Sequence, residues 1–508
     1  MDERFDLANV GRTNQLHTQD EANTIRRLII QKREALEQVK GEPAGAQLLK
    51  ETESIKEDLI RFETALSPHK LLPNEILGEI FILLALDYGP VELPIRENET
   101  PPQLALSHVC SRWRTVALCI PELWNNIMTC VPDSIGDEDE DVVLESLNRS
   151  VQLSQQWILR AGDIPVALSL NLRRPCDGVL EGILSPIKVK KLHLDLVGHD
   201  QFPELCRLPD TAFPNLEELS LTFPLYYYDC NFNKPFFTRL QSVTFSDVDR
   251  DGYRHDLPGL LERLSLPWHQ LQRFGLLFDV DSSLLPTIIT NLLRQMLNLR
   301  QFVCKAIQAY QSCPLPTLSL PNLQNLTLSI RGHLKQCNDV LCSFACPALT
   351  RFVLDTRVWT PRTFKAIKRQ YNLERLQEYV LIIDVYRVTS ASLLASSILE
   401  NAPMLRALQL PRCAIMDFEA IEGLSNGTLG RYLRKLHLDH FSDSTTKIVK
   451  MAEKRKEVVD ELIKDGCSWR ENITILREIT IRGSDKDDDD RVTALREAGI
   501  TIVNDVYR

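Results

Sequence analysis

Nowhere in the 508 residues does an apolar run approach the roughly 18 residues that a membrane span needs, so no bilayer crossing is expected. The opening Met1-Asp2-Glu3-Arg4-Phe5 lacks the apolar stretch of a secretion signal, and 13 scattered cysteines, an odd number, do not read as a disulfide framework. A reducing compartment, cytoplasmic or nuclear, follows as the expectation. Also missing are the phosphate-cradling Gly-x-x-x-x-Gly-Lys loop, the His-Glu-x-x-His zinc helix and the dinucleotide Gly-x-Gly-x-x-Gly turn. Positive charge is in deficit. With 59 basic and 69 acidic side chains the chain carries a net −10, which disfavours nucleic-acid binding through phosphate neutralisation. No cofactor is expected, and the partners should be proteins.

Three constellations could carry chemistry, and each has a plainer reading. Gly423-Leu424-Ser425-Asn426-Gly427 fits the nucleophile elbow, but that elbow needs a strand before it and a helix after it. Here a helical pattern precedes and the strand Leu433 to Leu438 follows, so a helix-ending turn at Gly427 is expected and Ser425 is assigned no role. His333, Cys337, Cys342 and Cys346 are near enough in sequence for zinc, yet lack a Cys-x-x-Cys knuckle; cysteines on an apolar helix face act as small core residues. Asp485, Asp487 and Asp489 lack the glycine and glutamate of a calcium loop and read as a solvated run. No catalytic, cofactor-binding or metal-binding residue is assigned.

What is present in surplus is grease between Leu72 and Trp124. Pro73 suits a first helical position, followed by the polar Asn74 and Glu75, so a helix should start there. At 100° per residue Ile76, Leu77, Ile80, Phe81 and Leu84 form one stripe, while Ile82 and Leu86 project to the other side. A helix apolar all round must be buried all round, and a module of roughly fifty residues hides only about 60% of its surface by itself. Downstream, Leu106, Val109, Cys110, Trp113 and Val116 mark a single amphipathic helix with Ser107, Arg112 and Arg114 facing away. Pro121 should stop it, leaving Leu123 and Trp124 as an apolar plug.

These residues resemble the F-box: Leu72-Pro73-Asn74-Glu75-Ile76-Leu77-Gly78-Glu79-Ile80-Phe81, then Leu106 to Ala117 containing Val109-Cys110 and Trp113, then Pro121-Glu122-Leu123-Trp124. The loop from Tyr88 to Pro102 is longer than the family's usual connection and is read as a tolerated insertion. The resemblance, to a fungal-type F-box-like family with degenerate leucine-rich repeats, implies docking on a Skp-type adaptor and through it on cullin and RING subunits. It implies that Leu72, Pro73, Ile76, Leu77 and Ile80 meet the adaptor, joined by Phe81, Leu106, Val109, Cys110 and Trp113, with Val109 and Trp113 partly in the module's own core.

Upstream, Ile25, Ile29, Leu36 and Val39 mark one helix and Ile55, Leu59, Phe62 and Leu66 another, with Gly41-Glu42-Pro43-Ala44-Gly45 between them. A dimerisation arm is possible on this pattern; an antiparallel hairpin packed on the F-box is preferred because the seam is short. Pro132 to Asp141 is an acidic stretch that cannot bury apolar surface.

Beyond it one phrase recurs, Leu-x-x-Leu-x-Leu, at Leu216/Leu219/Leu221, Leu261/Leu264/Leu266, Leu323/Leu326/Leu328, Leu349/Phe352/Leu354, Leu405/Leu408/Leu410 and Leu433/Leu436/Leu438. Phase marks at 194, 221, 245, 304, 328, 354, 381, 410 and 438 give mostly 24- to 29-residue steps, the leucine-rich-repeat range. The repeats are degenerate: the expected Asn or Cys three residues after the last leucine occurs only as Cys413. The expected fold is therefore α plus α/β: a helical hairpin and three-helix F-box, then an irregular leucine-rich-repeat solenoid, a curved parallel sheet with outer helices. Its expected boundaries are a disordered tail over 1–20, the hairpin over 21–67, the F-box over 68–130, an acidic linker over 131–145 and the solenoid over 146–508. The expected function is a non-catalytic substrate receptor of a cullin-RING ubiquitin ligase, with an unknown substrate protein on the repeats. The alternative is an interaction scaffold that binds the adaptor and delivers no substrate.

Overall fold

The computed structural model describes residues 10–11, 17–40, 46–95, 99–130, 140–172, 188–196, 213–223, 237–247, 266–278, 284–310, 315–383, 393–439, 445–464, 473–482 and 499–505, with a few single positions between them. The chain divides into two compact units, residues 1–169 and 170–508.

In the first unit, helix α1 (Gln19–Lys40) and helix α2 (Ala46–Ala65) form a hairpin. Thr18 and Glu21 close a capping box at the start of α1, the Thr18 N–H bonding Glu21 Oε2 at 2.7 Å and the Glu21 N–H bonding Thr18 Oγ1 at 3.3 Å. Ile25, Ile29, Ile55, Leu59, Phe62 and Ala65 are buried together, with Lys32–Asp58 at 2.8 Å and Arg33–Glu63 at 2.6 Å bridging the two helices. Val10, inside the stretch expected as a disordered tail, lies in the same cluster. Among the described residues the cluster draws only on positions up to Leu66. The hairpin thus closes its seam within the chain and owes nothing in that cluster to the helices that follow.

Next come helix α3 (Asn74–Tyr88), helix α4 (Pro102–Val109), helix α5 (Ser111–Leu118), a 3-10 turn over Pro121–Trp124, and helix α6 (Glu140–Ala161). Pro73 is the N-cap of α3 rather than its first helical residue; in extended geometry, its carbonyl accepts from the Leu77 N–H at 3.1 Å. The single amphipathic helix expected through Leu106 to Val116 is two helices. Cys110 turns the chain to φ −163°, ψ 169° and caps α5, its Sγ accepting from the Trp113 N–H at 3.4 Å. The freed Ser107 carbonyl accepts instead from Arg114 Nε at 2.9 Å. Trp124 is fully buried and donates from Nε1 to the Ala117 carbonyl at 3.0 Å, the plug its sequence position predicted. The long loop after α3 supplies a strand, Val91–Leu93, which pairs in parallel with Asn126–Cys130. Of the acidic linker expected over 131–145, residues 131–139 lie outside the described residues, and from Glu140 the chain is already helix α6. The first unit continues past the boundary expected near 145, because Trp157 of α6 packs edge-on against Trp124 at 5.0 Å and Arg160 caps that ring at 4.8 Å.

The second unit is a leucine-rich-repeat-like α/β solenoid. Its parallel strands pair in chain order from Val189–Leu196 to Thr501–Asp505, each with its sequence neighbours in the sheet. Crossovers carrying helices, such as Pro286–Leu293 and Phe418–Asn426, connect several of them, the pattern a parallel sheet requires. Register follows the phase marks: Leu194 pairs with Leu221, Leu221 with Phe245, Cys304 with Leu328, Leu328 with Leu354 and Leu354 with Leu381, all buried. Two positions earlier a second buried row stacks Phe274 on Phe302 at 6.0 Å and Phe352 on Tyr379 at 5.7 Å. One phrase misled: the strand between Phe245 and Cys304 is Arg273–Leu277, with Leu276 as its mark, and Leu266 precedes the 3-10 turn Trp268–Gln270.

A backbone device repeats beneath these leucines. The residue before each strand lends its carbonyl to two successive N–H groups of the next repeat: Gln272 O accepts from Arg300 and Gln301, Arg300 O from Gln324 and Asn325, Arg406 O from Arg434 and Lys435, all at 2.8–3.0 Å. Sequence degeneracy has therefore not disturbed the backbone repeat.

Candidate functional site

Helix α3 has two apolar faces. Leu77, Phe81 and Ala85, with Gly78, look into the unit; Phe81 packs against Trp113 with ring centroids 5.0 Å apart, and Gly78 leaves room for Ile120. Ile76, Ile80, Leu83 and Leu84 follow i, i+4, i+7, i+8 spacing on the next sector and are 47%, 39%, 64% and 47% exposed. The stripe read from sequence straddled this boundary, because 100° steps give the width of an apolar sector but not which edge meets the core. Leu71, just upstream, and Val109, at the end of α4, are exposed too.

Of the residues expected to meet an adaptor, Pro73, Ile76, Ile80 and Val109 are exposed, and Leu72, Cys110 and Trp113 are half-buried. Leu77, Phe81 and Leu106 are buried, and in this conformation they support the face from below rather than line it. Val109 points to solvent, not into the module's core. Leu83, absent from the expected set, is the most exposed of the four stripe residues.

Arg112 holds the start of the face. Its guanidinium donates to the Lys70 carbonyl at 2.7 Å, to the Leu72 carbonyl and, through Nε, to Asn74 Oδ1 at 3.0 Å. It therefore ties α5 to the turn that presents Leu71, Leu72 and Pro73. Its place on the polar side of the pattern read as solvent-facing; the carbonyls it satisfies leave no trace in side-chain periodicity. Ser107, expected to face outward, is buried with its Oγ bonded to the Leu104 carbonyl at 2.8 Å.

The candidate chemical centres are structural. Ser425 is buried on the helix Phe418–Asn426, its Oγ donating to the Ile421 carbonyl at 2.7 Å, and Gly427 ends that helix in the left-handed region at φ 75°. Arg455, buried on the helix Thr445–Lys464, secures the same turn by donating to the carbonyls of Leu424, Gly430, Arg431 and Thr474 at 2.8–3.0 Å. Burial lowers its pKa to about 10. Cys337 and Cys346 are buried, and desolvation pushes both thiols up to about 12, so they hold their protons. Among the described residues no group of three His, Cys, Asp or Glu is placed to hold a metal ion. The Asp485 to Asp489 run lies outside the described residues.

The solenoid offers the sheet face opposite its leucines. There, ion pairs link neighbouring strands, Lys191–Glu218 at 3.3 Å, Arg351–Glu378 at 3.1 Å and Lys435–Glu478 at 2.6 Å, and Arg273 reaches Glu218 at 2.5 Å across the strand between them. Beside them runs a row of small and β-branched residues, including Thr327, Val353 and Val380.

No known protein family and no curated protein matches the chain. Among solved structures, a Bacteroides fragilis protein is 11% identical over 59% of this chain and 77% of its own, with a TM-score of 0.26. The Toll–Spatzle complex from Drosophila gives 12% identity over 72% of this chain and 52% of the other, TM-score 0.27. The mouse RP105/MD-1 complex gives 12% identity over 76% and 61%, TM-score 0.24. Likenesses this loose carry no argument, and the repeat architecture rests on the strand order and register above.

Proposed function

We propose that the chain is a substrate receptor of a cullin-RING ubiquitin ligase, its first unit docking as an F-box on a Skp-type adaptor and its second holding a substrate protein. The observation that carries this reading is the outward stripe Ile76, Ile80, Leu83 and Leu84 on a helix whose adjoining face already fills the unit's core. Burying the exposed halves of these four side chains offers on the order of 3–6 kcal/mol of gross transfer free energy, before association costs. That suffices for a hot spot when the fixed turn at Pro73 presents it. The F-box-like order of residues from Leu72 to Trp124 gives the occupant: a helical adaptor with a complementary apolar groove. The solenoid's part is positioning, raising the local concentration of a bound protein near the ligase. It requires no catalytic side chain.

The test is co-purification with a Skp-type adaptor, comparing wild type with Pro73→Ala plus Ile76→Asp, both exposed positions. Capture should fall by about thirtyfold, equivalent to about 2 kcal/mol. Undiminished capture removes the reading. The scaffold alternative shares this step and parts from the receptor at the next: only a receptor makes turnover of its bound protein depend on the adaptor.

A further inference from the structure

Along the row that immediately precedes each strand of the solenoid, chemistry changes from one end to the other. Equivalent positions hold Lys190 and Glu217, paired with each other at 3.3 Å, then Gln241, Gln272, Arg300, Gln324, Thr350 and Gln377, and finally Arg406, Arg434 and Arg477 on three successive strands. The last three are exposed. Their backbones are locked in step: Arg434 N and Lys435 N bond to Arg406 O at 2.8 and 3.0 Å, Arg477 N and Glu478 N to Arg434 O at 2.8 and 3.1 Å. Neighbouring rungs of a parallel sheet stand about 4.8 Å apart, so three guanidinium groups issue from one edge at fixed spacing.

None of the three has an ion-pair partner among the described residues, and the acids nearby are already engaged. Glu478 pairs with Lys435 at 2.6 Å and Glu378 with Arg351 at 3.1 Å. Elsewhere in the sheet Lys190–Glu217, Lys191–Glu218 and Arg351–Glu378 match cation to anion on adjacent strands. Among the described residues, three adjacent arginines on this rigid frame are thus uncompensated, in a chain of net charge −10. Guanidinium forks bind carboxylates through two parallel hydrogen bonds, and an ordered row favours an extended anionic chain over a single ion.

We propose that Arg406, Arg434 and Arg477 form a docking row for an acidic peptide, a run of Asp and Glu in a protein held on the solenoid. The row deepens the receptor reading and takes its biological meaning from it. Peptide binding and adaptor capture are separate measurements on the same full-length chain, so either can fail alone.

The experiment is fluorescence anisotropy with a labelled peptide of alternating Glu and Asp and its Gln/Asn counterpart. Wild type should bind the acidic peptide at least tenfold more tightly than the amide peptide. Arg406→Gln/Arg434→Gln/Arg477→Gln should abolish that preference, while Lys365→Gln/Lys368→Gln/Arg369→Gln, which removes equal charge from the outer helix Pro361–Gln370, should keep it. Arg434→Gln alone, at the middle of the row, should weaken binding about threefold and serves if the triple variant misfolds. Adaptor capture should be unchanged in every variant. Equal loss in both triple variants, or no acidic preference in wild type, overturns the proposal. So does RNA of matched charge that binds the row more tightly than the peptide.

Discussion

Helix α3 and the strands of the solenoid both draw on leucine and isoleucine, yet they dispose of them differently. In the solenoid each apolar row meets the row of the next repeat, Leu328 on Leu354 on Leu381, and the opposite face is given over to ion pairs. Helix α3 spends Leu77 and Phe81 on its own unit and leaves Ile76, Ile80, Leu83 and Leu84 facing solvent. A repeat can always cover one face with its neighbour; a small helical module has no next copy. Apolar surface left over in such a module has to be explained by a partner, whereas polar surface on the repeats can be read as solvated until charge fails to balance.

Substitutions can break this comparison. The largest effect should come from the buried side of α3: Phe81→Ala should cost about 3–5 kcal/mol, measured by denaturant unfolding of the first unit's transition. Its exposed counterpart Leu83→Asp should leave that transition within about 0.5 kcal/mol and act only on adaptor capture. If Leu83→Asp unfolds the unit, the two-faced description of α3 fails. In the solenoid, Arg455→Met should destabilise by about 3 kcal/mol, because carbonyls of Leu424, Gly430, Arg431 and Thr474 lose a buried donor. Arg112→Met should cost about 1–2 kcal/mol and loosen the Lys70–Asn74 turn, giving faster amide exchange there and a slower association with the adaptor.

The smallest effect concerns pH. Cys337 and Cys346 have folded-state pKa values raised to about 12 from 9.0, so the unfolded chain loses these protons first. The stability they contribute is complete below pH 9 and declines as pH rises from 9 toward 12. At pH 8 iodoacetamide should modify exposed Cys119 while sparing both, and a zinc site would instead show chelator-sensitive protection.

Much of this was legible in the residues. The period of the phase marks gave the strands and their register because a parallel sheet buried on its leucine side permits only one alternation. Leu266 and Leu276, ten residues apart, both read as marks, and the strand went to Arg273–Leu277 with Leu276; the phrase at Leu261/Leu264/Leu266 could not by itself decide between them. The break at Cys110 was hidden because no glycine or proline marks it; the structure makes it with a thiol cap and an arginine taking a freed carbonyl. Likewise, periodicity identified α3 as over-greasy but could not say that Leu77 and Phe81 turn inward. Which half of a wide apolar sector is core is set by Trp113 and Ile120, neighbours distant in sequence.

The central claim is that the outer stripe of α3 is apolar, open and awaiting an adaptor. Hydroxyl-radical footprinting of the full-length chain, alone and with a Skp-type adaptor, addresses it at single residues. Ile76, Ile80, Leu83 and Leu84 should be oxidised in the free chain and protected in the mixture, with Leu77 and Phe81 silent in both. Protection of the four in the free chain, or labelling unchanged by adaptor at saturating concentration, would contradict it.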